Sequence, residues 1–490
     1  LTDRTFFLDQ HGCAKNQVDG EILIGLLLSR GWAKTDNPED AALIIVNSCG
    51  FIESAKKESL DAVITARTAY PGAKVLLAGC LAERYSADLV EGLPEADAFF
   101  GNGDLSRVGE LLDELFPASS KVSPVRPVLV PAQQGVCCGE RPAFLSFPRS
   151  AFVKITEGCN NCCSFCAIPL IRGNLRSRAI TEIVDECASL IARGVFELNL
   201  IGQDLAAFGC GTDDDVFSVK TAPVAGASPL SALLRAISAL PGDFRVRLLY
   251  IHPDHFPRDI LPVMTADTRF LPYFDIPFQS GDEGVIHAMN RVGSPEIYRT
   301  LVADIRAAFS SAKSPYGTVA LRTTFLVGFP GETDPAFEST ARFLADIRSL
   351  WSGAFTWSCE ENTPAADMKK RVPKKTARAR LEALQAIQTR ITPEELAVFM
   401  GKTVEVLVEE LIPASESSAA DTAEASGPAI PESRLALGRA WFQAPEVDGA
   451  VVLQFEDNQK DKAGQPIGPG SVVDAVIMAV NGVDLEAVVR

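Results

Sequence analysis

The sequence predicts a multidomain α/β protein: a parallel α/β sheet domain over residues 1–118, a linker over 119–143, a partial (β/α)6 barrel over 144–393 and an OB-like β-barrel over 401–490. Three observations predict it. Continuous apolar runs alternate with amphipathic helical stretches in the first 118 residues, the pattern of parallel strands covered on both faces. The alternation returns six times between 144 and 393, enough for an open barrel with its site at the strand C-termini. After residue 401 the helical period vanishes and five short strand candidates crowd into the remaining chain.

In the first domain, Thr5-Phe6-Phe7-Leu8 is a strand that ends near Cys13, followed by a helix through Ile22, Leu26 and Leu27. Ala42-Leu43-Ile44-Ile45-Val46 ends near Cys49, with a helix from about Ile52, and Lys74-Val75-Leu76-Leu77-Ala78 ends near Cys80 before another helical stretch. The C-termini of parallel strands share one sheet edge, so the three cysteines converge. Gly12, Gly50 and Gly79 stand beside them, where backbone can approach closely and its N–H groups can bond cluster sulfurs. One such cysteine reads as an ordinary buried thiol. Three at equivalent positions read as the ligands of an iron–sulfur cluster with one open iron.

The stretch 119–143 is rich in Pro, Ser and Val and has no helical period; its adjacent Cys137 and Cys138 read as incidental thiols. The strands of the central domain are expected at 152–155, 197–201, 247–251, 273–276, 321–327 and 354–357. Just past the first of them stand Cys159, Cys163 and Cys166, at C-x-x-x-C-x-x-C spacing. Three thiolates in a short loop can cap three irons of a 4Fe–4S cluster. The position three past Cys166 is Pro169, so no fourth cysteine closes the cluster and one iron stays open to a small molecule. That is a catalytic arrangement rather than an electron wire. Cys159 and Cys162 also form C-x-x-C, half of a zinc site, but the twenty residues after Cys166 bring neither a second pair nor a histidine.

Gly202-Gln203-Asp204 follows the second of these strands and Gly328-Phe329-Pro330-Gly331-Glu332 the fifth. His252 and His255 read as a structural turn after the third. Cys187, Cys210 and Cys359 have no partner spacing and read as ordinary thiols. The stretch 211–229, with Asp213, Asp214 and Asp215, reads as a solvated insertion and not a metal site.

The last domain has strand candidates at 403–407, 435–442, 450–455, 472–480 and 484–489, interrupted by an Ala/Ser/Glu/Pro-rich insertion over 414–433 that is expected to be disordered. From Gly401 onward it carries 15 acidic and 6 basic residues, a net −9 of the chain's −17. Phosphate binding draws its affinity from Lys and Arg, so this balance argues against RNA and for a basic partner. In 490 residues with 47% hydrophobic content, twelve cysteines at cluster-type spacing indicate metal ligation in a reducing compartment. The chain shows no basic-then-apolar signal pattern and no apolar run of about 18 residues. A cytoplasmic protein without membrane contact is expected.

The stretch from Glu157-Gly158-Cys159-Asn160 to Ser164-Phe165-Cys166 resembles the signature of the radical S-adenosylmethionine (SAM) superfamily. The resemblance implies that SAM chelates the open iron and is split to methionine and a 5′-deoxyadenosyl radical. It also implies that Phe165, Gln203 and Gly328 line the SAM site. Through Gly12-Cys13-Ala14-Lys15-Asn16 and Asn47-Ser48-Cys49 the first domain resembles that of the methylthiotransferases, which implies a second 4Fe–4S cluster, on Cys13, Cys49 and Cys80, for the sulfur-transfer half of the reaction. The final module resembles the TRAM domain that closes those enzymes.

Within that family, Tyr273-Phe274-Asp275-Ile276-Pro277 and Ala444-Pro445-Glu446-Val447-Asp448-Gly449 resemble the RimO branch, which modifies an aspartate of small-subunit ribosomal protein twelve. Glu446 and Asp448 are then expected as exposed charges that face this partner. Gln279-Ser280-Gly281 is closer to the branch that modifies a transfer-RNA adenosine. The expected reaction is addition of a methylthio group to the β-carbon of that aspartate. The alternatives are the tRNA reaction and a non-catalytic iron–sulfur carrier or scaffold. The implied partners are a basic ribosomal protein, a reducing electron donor and a sulfur source, with tRNA disfavoured by the barrel's charge.

Overall fold

In the computed structural model of the chain the described residues are 4–117, 125–136, 138–211, 226–311, 315–413 and 434–490. Cys137, the aspartates at 213–215 and the 414–433 insertion lie outside them, as do the expectations placed there.

The first unit runs β1 (Thr5–Gln10), α1 (Ala14–Ser29), β2 (Ala33–Lys34), β3 (Leu43–Ser48), α2 (Glu53–Ala69), β4 (Lys74–Gly79), α3 (Cys80–Gly92), β5 (Ala98–Phe100), α4 (Val108–Leu115) and β6 (Val128–Leu129). Its sheet has the order β2-β1-β3-β4-β5-β6, with every pair parallel. All six residues of β3 are buried, which is why it reads as an unbroken apolar run. β2, β5 and β6 have two or three residues each, too few to show a period. β6 comes from the stretch expected as a linker; it pairs with Phe99 and Phe100 and packs that part of the chain onto the sheet edge.

Helix α1 inverts the usual pattern. Lys15, Asn16, Gln17, Asp19 and Glu21 are buried along with Val18, Ile22, Leu23 and Ile24, because the helix is covered by its own sheet on one side and by the second domain on the other.

The second unit opens with β7 (Ser150–Lys154). A small ribbon of β8 (Thr156–Glu157) and β9 (Arg176–Ser177) then encloses the cysteine loop and α5 (Ile168–Arg172). There follow α6 (Ile180–Ala192), β10 (Glu197–Ile201), α7 (Pro229–Ser238), β11 (Arg245–Leu248), α8 (Ile260–Ala266), β12 (Phe270–Asp275), α9 (Glu283–Ala288), α10 (Pro295–Ser311), β13 (Ala320–Val327), α11 (Asp334–Ile347), β14 (Trp351–Thr356) and α12 (Lys374–Leu396). The sheet is parallel throughout, in the order β7-β10-β11-β12-β13-β14. Most strands begin one to three residues earlier than the apolar runs suggest. Arg245 opens β11 and Pro272 sits inside β12, and both residue types mask a strand start.

The third unit is a closed barrel of β15 (Thr403–Ile412), β16 (Arg434–Ala440), β17 (Val451–Phe455), β18 (Val472–Asn481) and β19 (Asp484–Val489), in the order β15-β16-β17-β19-β18. Only β17 and β19 pair in parallel; closure leaves no free edge. One continuous buried cluster joins Ile24 and Leu27 of α1, Tyr273 of β12, Trp351 of β14 and Val451 and Leu485 of the barrel. At the seam between barrel and second unit, Glu197 is shared by Arg247 and Arg439, each 2.8 Å away, and Trp351 Nε1 donates to the Phe442 carbonyl at 2.6 Å. Among the described residues no helix is long and apolar enough to cross a membrane.

Candidate active site between two cysteine triads

Cys13 caps α1, Cys49 follows β3 and Cys80 opens α3. The glycines bring them together. A Cβ on Gly12 (φ +88°) would stand 3.1 Å from the Cys49 Cβ, and one on Gly50 would stand 2.5 Å from the Cys80 carbonyl, so consecutive strand ends touch there. Asn16 clamps the edge: its amide donates to the carbonyls of His11, Asn47 and Ser48 at 2.7, 3.1 and 3.2 Å. The Asn47 amide donates back to the Asn16 carbonyl at 2.7 Å. These contacts give a physical reason for the two asparagines in the motifs around Cys13 and Cys49.

In the second unit the Cys159 N–H donates to the Gly173 carbonyl at 3.1 Å and the Cys166 N–H to the Cys163 carbonyl at 3.0 Å. Ser164 anchors the loop through Met289, Ala288 and Ala365. Cys162 is exposed, in a left-handed turn (φ 51°). His252 does more than shape a turn: its Nε2 lies 4.0 Å from the Cys163 sulfur, and its ring stacks on His255, which pairs with Asp204 at 2.6 Å.

Burial pushes the thiols of Cys80 and Cys166 up to about 12 and that of Cys159 to about 11. Metal ligation at such thiols would displace protons. Among the described residues no three His, Cys, Asp or Glu side chains gather around a single point as they would around one ion. A four-iron cluster is ligated at separate irons, so its three thiols need not meet at one point.

The residues expected at a SAM site are placed differently from one another. Phe165 packs against the apolar group of Val285, Met289, Phe329 and Ala365. Gln203 donates to Glu157 at 3.2 Å, while its carbonyl oxygen is buried with no partner, as is the nearby Thr156 hydroxyl. Gly328 (φ +73°) is already engaged: its N–H donates to Glu332 at 2.7 Å and a Cβ would meet the Ala377 Cβ at 2.5 Å, so its position serves the packing of α12.

The two triads adjoin. Cys80 packs with Ala167 and Ile171, in the segment that follows Cys166. Arg172 Nη2 lies 3.0 Å from the Cys80 sulfur, and its other nitrogen reaches Asp19 at 2.6 Å and Glu157 at 3.1 Å. Lys154 joins the same two carboxylates, at 2.5 and 2.7 Å. Burial alone would raise the Glu157 carboxyl, but Lys154 and Arg172 outweigh it and hold it at about 2. Sequence reasoning missed this network, because Asp19 and Glu21 look like the solvated face of α1. Charges inside an otherwise apolar helix-strand pairing (Asp19 in α1, Lys154 in β7) were the available signal.

The barrel reaches the same region. Tyr273 donates to Asp448 at 2.6 Å, Arg322 lies 3.4 Å from the same carboxylate, and the Ala444 N–H donates to it at 2.8 Å. Its side chain is 1% exposed, and burial pushes its carboxyl up. The expectation of two exposed charges therefore holds for Glu446 and fails for Asp448, which serves as an internal anchor.

Comparison with known proteins matches residues 5–101 to the Uncharacterized protein family UPF0004, 153–344 to the Radical SAM superfamily and 400–489 to the TRAM domain. A ribosomal protein uS12 methylthiotransferase RimO of Treponema denticola is 57% identical over 98% of this chain and 100% of its own. That of Aquifex aeolicus is 37% identical over 92% of this chain and 90% of its own. Among solved structures, the radical S-adenosylmethionine methyltransferase TsrM of Kitasatospora setae superposes with a TM-score of 0.52 at 14% identity, over 74% of this chain and 77% of that one, a likeness of fold alone.

Proposed function

Since this chain belongs to the RimO family of ribosomal protein uS12 methylthiotransferases, we infer that each of its cysteine triads holds one 4Fe–4S cluster and that the target is the β-carbon of an aspartate of uS12. The enzyme methylthiolates uS12 by radical SAM chemistry, with SAM and iron–sulfur clusters as cofactors. Cys159, Cys163 and Cys166 are the ligands on the SAM side, and Cys13, Cys49 and Cys80 those on the sulfur side. When bound, these groups supply a 5′-deoxyadenosyl radical on one side and the sulfur to be methylated and transferred on the other.

The protein's part is to hold the two sides in register and keep water out. The observation that carries the reading is Arg172, which touches Cys80 of one triad and Glu157 of the loop that leads into the other. With Lys154 and Asp19 it locks the first unit onto the second at the point where a carbon on one side must meet sulfur on the other. In this reading Gln203 and Phe165 contact SAM, supported by the unpartnered Gln203 carbonyl oxygen just past β10 and the apolar group that holds Phe165; Gly328 contributes through the packing of α12. Electron balance and sulfur balance call for a reducing donor and a sulfur source as further partners.

The test is mass spectrometry of ribosomal proteins and tRNA from cells that lack or overproduce the chain. The expected result is a methylthio group on a uS12 aspartate that follows the chain's level, with tRNA adenosines unchanged. A change confined to tRNA adenosines would overturn the assignment.

A further inference from the structure

Lys15 stands two residues past Cys13, in the first turn of α1, and is 8% exposed. The other buried charges around it are paired: Asp19 with Lys154 and Arg172, Glu21 with Arg141, and Asp275 with Arg322. Lys15 is the exception. Among the described residues its ammonium makes no hydrogen bond and no ion pair within 4.0 Å; instead it lies 3.1 Å from the centroid of the Tyr250 ring. The side chain is covered, and its ammonium is seated on the face of that ring.

Tyr250 is unusual in its own right. It follows β11 at the sheet's C-terminal edge, with a left-handed backbone (φ 69°) that a bulky side chain rarely adopts, and its carbonyl is pinned by the Leu205 N–H at 2.9 Å. Among the described residues its phenol makes no hydrogen bond. A buried cation with no anionic partner, and beneath it a hydroxyl with no hydrogen bond, both within electrostatic reach of Cys13, call for an anion with hydrogen-bond acceptors. A carboxylate has that chemistry. A neutral nucleobase would leave the ammonium unpaired.

We propose that Lys15 and Tyr250 receive the side-chain carboxylate of the substrate's target aspartate. Lys15 supplies the charge and Tyr250 a hydrogen bond, and together they hold the adjacent β-carbon on the Cys13 side of the site. The assignment rests on the aspartate reading above and makes these two residues the determinants of aspartate over its uncharged analogues.

The test is a binding cycle on the anaerobically reconstituted full chain. The probes are a labelled peptide of the uS12 segment mapped by the cellular mass spectrometry and the same peptide with the target Asp replaced by Asn. Binding is read by fluorescence anisotropy, with iron content measured alongside. Wild type should prefer the Asp peptide by roughly ten- to a hundredfold, and Lys15→Met should bind both peptides as wild type binds the Asn form. If Lys15→Met does not retain its iron, Tyr250→Phe, which keeps the ring and removes the hydroxyl, decides, and must reduce the preference by about threefold or more. An undiminished preference in the deciding variant, or none in wild type, overturns the proposal. Loss of iron from Lys15→Met with the preference intact would assign Lys15 to the cluster and also overturn it. Should uS12 go unmodified in cells, the functional reading fails; should uS12 be modified while the cycle shows no coupling, the carboxylate pair alone fails.

Discussion

Asp448 and Glu446 lie two positions apart in one barrel loop, and they behave as different kinds of residue. Asp448 accepts from Tyr273 and the Ala444 N–H beside Arg322, out of water. Asp448→Ala leaves the Tyr273 hydroxyl without its acceptor and takes one carboxylate from Arg322. It should lower stability by about 2–4 kcal/mol, read as a drop in the denaturation midpoint. Glu446 is exposed, and Glu446→Ala should stay within about 0.5 kcal/mol. From sequence the two carboxylates look alike, since a buried acid is told from a solvated one only by its partners. Tyr273 is 175 positions away. Cys162, whose register is expected to fail, is exposed, and Cys162→Ser should leave both SAM cleavage and methylthio product close to wild type.

Elements carry the two triads, and each should load on its own. Replacing Cys159, Cys163 and Cys166 by Ala should remove about half the iron of the reconstituted protein and leave the rest. A folded variant with no iron at all would contradict two separate sites. Replacing Cys13, Cys49 and Cys80 should leave SAM cleavage to 5′-deoxyadenosine measurable while abolishing methylthio product. Strand β10 contributes a pH-sensitive tie. Burial alone would raise the Glu197 carboxyl, but Arg439 and Arg247 hold it far below the ordinary 4.5. Its folded value is depressed, so its stabilising contribution is complete above about pH 4.5 and is lost as pH falls below that. Acid titration should therefore change the emission of Trp351 and of Trp441, whose carbonyl accepts from Arg247 at 2.7 Å, and Glu197→Gln should remove that transition. The long parallel strands were legible because burial on both faces makes them continuous apolar runs. Three pairings were not: β2, β5 and β6 are too short, and β6 hides in a stretch without period. The polar face of α1 was illegible for a deeper reason, since charges paired across a domain boundary have the same letters as charges in water.

At the scale of the whole molecule, charge and architecture point the same way. The acidic balance of the C-terminal barrel makes a basic partner the favoured encounter. The full chain should bind uS12 with an affinity that weakens as salt rises and should bind tRNA poorly at the same ionic strength; titration against both partners checks it. Equal or tighter binding of tRNA would contradict this. The seam at Glu197 has a consequence for how the chain is made. Arg439 lies 242 positions after Glu197. At typical elongation rates the ribosome takes roughly 10–50 s to cover that distance. From the synthesis of Arg247 onward the nascent central sheet holds a carboxylate with one of its two guanidinium partners still unsynthesised. Translation that stops between Arg247 and Arg439 leaves Glu197 with one of its two guanidinium partners, so chains truncated there should have a shorter cellular half-life than the full chain even though Cys13, Cys49, Cys80, Cys159, Cys163 and Cys166 are all present.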